Sequence, residues 1–229
     1  MRRYTDMTQP EALAGASAAV STRCSGSVAD PCQDIAAALA GRGWCVCTDF
    51  LSPELVSGLY DEARELWQGG EFRHARVGHG RALQLRPEAR SDWVHWLQPG
   101  QASPPQQQYL ARLEALRVAL NRALFLGLFE YEGHLAVYPP GTSYQRHLDR
   151  FVDAGARTVS CVLYLNPDWC AEDGGQLRIY TEPGNDACYE DIVPCGGTLV
   201  TFLSEQFPHE VLQATRQRFS LTGWMKRRG

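Results

Sequence analysis

The sequence predicts a mainly β protein, a sandwich or jelly roll with supporting helices packed on the outside of one sheet. Three observations predict it. From Glu132 onward the chain breaks into short extended runs, at 134–138, 158–165, 176–180, 198–203, 210–212 and 219–224. Turn residues punctuate those runs: Pro139-Pro140-Gly141, Gly174-Gly175, Pro183-Gly184 and Gly196-Gly197. Helical patterns are confined to the N-terminal half and no internal repeat is visible, so many short strands must close around one layered core.

Taken in order, residues 1–30 are rich in Ala, Ser, Thr and Gly without sustained periodicity, and a loosely held extension is expected there. Residues 31–229 are expected to form a single domain, long enough to bury a core without disulfides. Ile35, Ala38 and Leu39 mark a short helix ending at Gly41, and Trp44-Cys45-Val46-Cys47 reads as a strand. Ser52 is a suitable N-cap with Pro53 at the first helical position. Leu55, Leu59, Ala63 and Leu66 then mark one helix face until Gly69-Gly70. Segment 72–97, rich in Arg and His with Gly78 and Gly80 as breakers, predicts two short strands joined by a long loop that acts as a lid. Pro99-Gly100 and Pro104-Pro105 read as breaks. The longest helix follows over 109–128, with Leu110, Leu113, Leu116, Leu120 and Leu124 facing the core.

Composition excludes several function classes. With 22 Lys and Arg against 26 Asp and Glu, the formal net charge is −4. The only basic block, Lys226-Arg227-Arg228, reads as a solvated tail, so nucleic acid is not an expected partner. No apolar run approaches the ~18 residues of a membrane span, and no signal peptide is evident. Eight cysteines without a Cys-x-x-Cys pair read as reduced, mostly buried thiols. A soluble cytoplasmic protein, with a monomer favoured, is expected.

The chemistry concentrates in His147-Leu148-Asp149, His209 and Arg218. On an extended segment, side chains two positions apart project to the same side, so His147 and Asp149 can share a metal. His209 completes a 2-His-1-carboxylate face, which holds ferrous iron and leaves neighbouring positions open. If His209 and Arg218 lie on the arms of an antiparallel hairpin turning near Gln213-Ala214, the guanidinium faces the iron pocket. Its fork suits a carboxylate, so a small acid that also reaches the metal is expected, and 2-oxoglutarate fits both ends. His74, His79, His95 and His134 lack correctly spaced partners and read as ordinary surface or core histidines.

Around these residues the chain resembles the iron- and 2-oxoglutarate-dependent prolyl 4-hydroxylases, in particular the hypoxia-sensing prolyl hydroxylase domain enzymes and their bacterial relatives. The resemblance runs through Tyr138-Pro139, Tyr144-Gln145-Arg146-His147-Leu148-Asp149, Tyr164-Leu165-Asn166, Gly174-Gly175-Gln176-Leu177-Arg178-Ile179, Pro208-His209-Glu210-Val211, Arg218 and Trp224. Arg90-Ser91-Asp92 with Trp96-Leu97 looks like the family's segment closing a mobile loop before the core. The resemblance implies a double-stranded β-helix, with His147, Asp149 and His209 as iron ligands and Arg218 on the distal carboxylate of 2-oxoglutarate. It implies further cosubstrate contacts at Tyr138, Tyr164 and Thr222, and protein-substrate contacts at Tyr144, Arg157, Trp224, Asp92 and Trp96. Arg rather than Lys at position 218 points to the hypoxia-sensing branch. Ser91 in place of a usual Gly, Leu163 in place of a frequent Tyr, and a loop of its own composition over 78–90 are departures that bear on the substrate.

The implied reaction hydroxylates a prolyl residue of an intracellular protein, at the 4-position, with Fe(II), 2-oxoglutarate and O2 consumed or used and ascorbate in support. Succinate and CO2 are the coproducts. The same chemistry on a free amino acid, another small molecule or a different protein side chain is the main rival. A jelly-roll peptide-binding module without catalysis has no physical need for all four site residues. Nucleobase demethylation is disfavoured by the negative charge and the lack of a basic groove.

Overall fold

Three capped α-helices alternate with the first three strands in the computed structural model, which describes residues 30–75, 86, 88–149 and 157–228. The expected extension over 1–30, apart from Asp30, lies outside the described residues, as do His79 and the rest of 76–85 and 87 in the expected lid segment. Helix α1 (Pro31–Arg42) starts where the Asp30 side chain accepts from the Cys32 N–H, and it ends at Gly43 with φ 83°. That is two residues past Gly41, which is accommodated inside the helix. Helix α2 (Pro53–Gln68) begins as its sequence indicates, with Ser52 accepting from the Leu55 N–H. Helix α3 (Pro104–Leu124) corrects the expectation of 109–128. Ser103 accepts from the Gln106 N–H and Pro104 stands at the first helical position, so the Pro pair starts the helix instead of separating two segments.

The strands form two antiparallel sheets. The larger contains β1 (Trp44–Cys47), β2 (Arg73–His74), β3 (Trp93–Trp96), β4 (Leu128–Tyr138), β6 (Arg157–Tyr164), β9 (Leu199–Leu203) and β11 (Arg218–Arg227). Their spatial order is β1-β9-β6-β11-β4-β3-β2. The smaller contains β5 (Tyr144–His147), β7 (Leu177–Tyr180), β8 (Tyr189–Ile192) and β10 (His209–Val211), in the order β5-β10-β7-β8. After β4, consecutive strands switch between sheets except at the β7–β8 pair, the jelly-roll arrangement expected.

Alternation along β4, β6 and β11 divides the core in two. Val137, Leu163, Phe219 and Leu221 point to one side, where Leu59, Tyr109, Leu113 and Leu116 of α2 and α3 cover them. Ala136, Tyr138, Val162 and Tyr164 point to the other and meet Leu177, Ile179 and Val211 of the smaller sheet. The helices therefore pack on the outside of one sheet, as read from the sequence. None of the described helices is long and apolar enough to cross a membrane.

Candidate metal centre

Strands β5 and β10 lie side by side in the smaller sheet, with His147 and His209 as register partners. Between His147 and Tyr144 the ladder is irregular: Tyr144 pairs with Val211, so three steps on β5 match two on β10. This bulge turns Tyr144 and His147 to the same face, where their rings stack at 3.6 Å and 16°. Asp149 follows the end of β5, so simple strand alternation is not what aligns it with His147. The carboxylate nevertheless lies 3.7 Å from His147 Nε2 and 3.7 Å from His209 Nε2. One donor atom from each of the three residues falls within 4.8 Å of the others.

Backbone groups fix which ring nitrogen faces the centre. His147 Nδ1 donates to the Gln145 carbonyl at 2.8 Å and His209 Nδ1 to the Phe207 carbonyl at 3.0 Å, leaving both Nε2 atoms bare toward Asp149. Burial, with His209 beside it, pushes the His147 pKa down to about 4. Burial alone would raise the Asp149 carboxyl, but His209 and His147, aided by Trp224 and Ser160, hold it below its ordinary range. Two imidazole nitrogens and one carboxylate suit a divalent transition metal and match the hard and intermediate donors that Fe(II) accepts.

Arg218 reaches the interior by a different route from the one expected. His209 and Arg218 are not arms of a hairpin: β10 belongs to the smaller sheet and β11 to the larger. The intervening turn is tied down by Gly175 N–H to the Gln213 carbonyl at 2.9 Å and Thr215 N–H to the Asp173 carbonyl at 2.8 Å. The chain consequently crosses between sheets, and the two side chains approach from opposing layers. Gly175, at φ 69°, leaves room for the arginine stem, since a Cβ there would stand 3.0 Å from Arg218 Cδ.

Arg218 is 1% exposed, and its Nε has no hydrogen-bond partner among the described residues. Tyr138 and Tyr164, which are placed on the neighbouring strands, each hold a ring centroid 4.9 Å from its guanidinium carbon. Burial raises the pKa of both phenols, Tyr164 to about 12, so both remain neutral donors. The Tyr164 hydroxyl is likewise buried without a partner. Arg218 Nε and the Tyr164 hydroxyl, both buried without a partner among the described residues, form a cradle that a carboxylate would satisfy. Thr222 lies on the same face of β11, with Oγ1 3.3 Å from Ser220 Oγ.

The residues assigned to the substrate side form a connected group. Arg157 lies 3.3 Å above the Trp224 ring and donates from Nε to Glu132 at 2.9 Å. Trp96, 47% exposed, sits 4.9 Å from the His134 ring. Asp92 departs from its expected role: it is fully buried and takes a bidentate pair from Arg90, at 2.6 and 2.9 Å. It acts on the pocket through Arg90, whose guanidinium lies 4.9 Å from the Tyr144 ring. Sequence reasoning missed Ser160, Ser204 and the role of His134. The strand period from Tyr164 back to Ser160 was the available signal for the first of these.

The 2OG-Fe(II) oxygenase superfamily model matches residues 133–226, the span holding all of these ligands. A crystallised prolyl-4-hydroxylase of Pseudomonas putida is 45% identical with a TM-score of 0.77, covering 86% of this chain and all of that one. The chain belongs to the iron- and 2-oxoglutarate-dependent prolyl hydroxylase family. A Trichoplax adhaerens prolyl hydroxylase, solved with a hypoxia inducible factor oxygen degradation domain peptide fragment, is 26% identical with a TM-score of 0.76 over 86% of this chain and 90% of that one. Human Egl nine homolog 1 is 32% identical over 192 residues, 80% of this chain and 43% of the relative. The chain spans about half the length of the human, mouse and rat Egl nine homolog 1 proteins it matches, 43% to 55%. The family's iron and 2-oxoglutarate fit the His147, Asp149 and His209 donor set and the cradle at Arg218 Nε and the Tyr164 hydroxyl.

Proposed function

We propose that the protein is a dioxygenase that hydroxylates a prolyl residue of a protein substrate, at the 4-position, forming succinate and CO2. One observation carries the reading: a 2-His-1-carboxylate cluster and a buried, acceptor-seeking arginine share one sandwich interior. When bound, iron and 2-oxoglutarate together supply the oxidising power for inserting oxygen into a C–H bond. His147, Asp149 and His209 would hold the metal. Arg218 would hold the far carboxylate of the cosubstrate, with Tyr138, Tyr164 and Thr222 beside it. The neutral phenols donate hydrogen bonds without adding charge, and the surrounding apolar residues exclude water.

The peptide-bound Trichoplax relative supports a polypeptide substrate, approached through Tyr144, Trp96, Trp224 and Arg157. We place the site of action in the cytoplasm. Seven described cysteines are free thiols, four of them buried, which suits a reducing compartment.

The test is to incubate the protein with iron, 2-oxoglutarate and cell lysate, then search peptides for +16 Da changes. Cosubstrate-dependent hydroxyproline supports the reading. Cosubstrate-dependent oxidation confined to other residues or to small molecules would overturn the prolyl assignment while keeping the chemistry.

A further inference from the structure

His134 lies on β4 directly opposite Thr222 of β11 and Trp96 of β3, and it is 1% exposed. Its Nδ1 stands 2.8 Å from the Thr222 carbonyl, which can only accept, so Nδ1 carries the proton and donates. Nε2 is then bare, and Arg90 Nη2 donates to it across 3.2 Å. Both ring nitrogens are used, and the tautomer is fixed by its neighbours. The ring also packs against Trp96, at 4.9 Å, and Trp224, at 5.6 Å. Arg90 in turn grips the buried Asp92 and lies against Tyr144. Groups from three separate chain segments, among them Trp96 and Trp224 from the side assigned to the protein substrate, thus meet at one imidazole.

We propose that His134 is a positioning residue for the protein substrate. Locked on the Thr222 carbonyl, it accepts from Arg90 and spaces Trp96 from Trp224, so the wall that the polypeptide meets is preformed. The proposal rests on the prolyl hydroxylase reading. A phenyl ring would fill the same space, but it would leave the Arg90 N–H without an acceptor and the Thr222 carbonyl without a donor. Preformed walls reduce the ordering that binding demands, so the effect belongs on substrate KM more than on the chemical step.

The test compares wild type with His134→Gln, His134→Asn and His134→Leu, using a synthetic peptide that spans the modified proline found in the lysate screen. Gln can place an amide oxygen near the position of Nε2, Asn can mimic Nδ1 only, and Leu mimics neither. Expected for Leu and Asn is a peptide KM raised about tenfold, the factor one charge-assisted hydrogen bond is worth. The KM for 2-oxoglutarate is expected to stay within about twofold. His134→Gln is expected to return the peptide KM to within about threefold of wild type. Nitrogen NMR gives a readout independent of turnover: the wild-type ring should show the neutral Nδ1–H tautomer throughout pH 5–8.

A wild-type peptide KM in His134→Asn or His134→Leu overturns the proposal. So does an Nε2–H tautomer, or a His134→Gln protein that is folded yet no better than His134→Asn. If His134→Leu does not fold, the Gln and Asn pair decides alone. Should the screen return a substrate of another class, the prolyl reading fails by itself, and the same KM comparison is made on that substrate.

Discussion

Ser160 Oγ donates a 2.7 Å hydrogen bond to Asp149 Oδ2, with Ser204 Oγ 2.9 Å behind it. Ser160 belongs to the larger sheet and Asp149 follows a strand of the smaller one, so this contact ties the metal carboxylate across the sandwich. A carboxylate so held presents its oxygens to the two imidazoles without having to reorient.

Ser160→Ala is therefore expected to weaken Fe(II) binding about 10- to 100-fold, the usual effect of deleting an outer partner of a metal ligand. Anaerobic competition against a chromophoric chelator measures it. Ser160→Thr, which keeps the hydroxyl, should recover most of the loss. Unchanged affinity in the alanine protein would show that Asp149 is oriented by the histidines alone.

Arg218 gives a prediction with two signs. Arg218→Met is expected to lower 2-oxoglutarate affinity about a hundredfold, because a bidentate charge-assisted contact is lost, while leaving iron affinity nearly unchanged. The same change removes a buried cation that no described carboxylate neutralises, so the Tm measured without cosubstrate is expected to rise. Calorimetric titration and scanning calorimetry read the two effects. A lowered Tm would mean that the packing of the arginine stem outweighs the burial of its charge.

Gly175→Ala tests the passage of that stem. The residue has φ 69°, and an added Cβ would stand 3.0 Å from both Arg218 Cδ and Ala214 Cβ. A non-glycine residue there costs about 1–2 kcal/mol, part of which is relieved by displacing the arginine. A several-fold rise in the KM for 2-oxoglutarate with intact iron binding is the expected outcome. Loss of stability without any change in that KM would place the strain in the turn alone.

The sequence was legible where one local signal dominated. Ser52-Pro53 marked the start of α2, and Trp44 to Cys47 appears as the strand expected. It was illegible where the partner supplied the reason. β8 escaped because Glu190 and Asp191 break its apolar pattern, yet Arg178 on β7 pairs with Asp191 at 2.8 Å and supplies the missing counter-charge. The first half of β4 was hidden in the same way: Glu130 and Glu132 are matched by Lys226 and Arg157 on other strands.

At the site, the structure brings His147, Asp149 and His209 together and buries Arg218, the four residues that residue type and order had singled out, but the geometry that places them differs from the one expected. A bulge in β5 aims His147, and a sheet-to-sheet crossing brings in Arg218, where a plain strand and a hairpin were expected. Neither device has a sequence signature of its own. Ser160 could be read only as an inward strand position, because its role depends on Asp149 across the sandwich, and the role of His134 depends on neighbouring strands of its own sheet and on Arg90.

Acid stability supplies the last prediction. Burial, followed by the nearby Arg90 cation, holds the His134 pKa down to about 4 against an ordinary value of 6.5; Asp92 and the Thr222 carbonyl oppose this, and Arg157 adds to it. Between those two values the unfolded chain binds a proton that the folded chain refuses. The stability tied to the neutral ring is thus complete above pH 6.5 and is lost as pH falls toward 4. Fully expressed, a shift of that size corresponds to roughly 3 kcal/mol. Urea unfolding of the metal-free protein at several pH values from 7.5 to 4.5 measures the slope. His134→Gln, which has nothing to protonate, should flatten it by up to about 1.4 kcal/mol per pH unit. The slope that remains comes from His147, whose pKa is lowered in the same direction, and, toward pH 4.5, from carboxyls held low such as Asp149 and Glu132. Identical slopes in the two proteins would mean that His134 takes up its proton without disturbing the fold, and that its contact with Arg90 yields readily to charge.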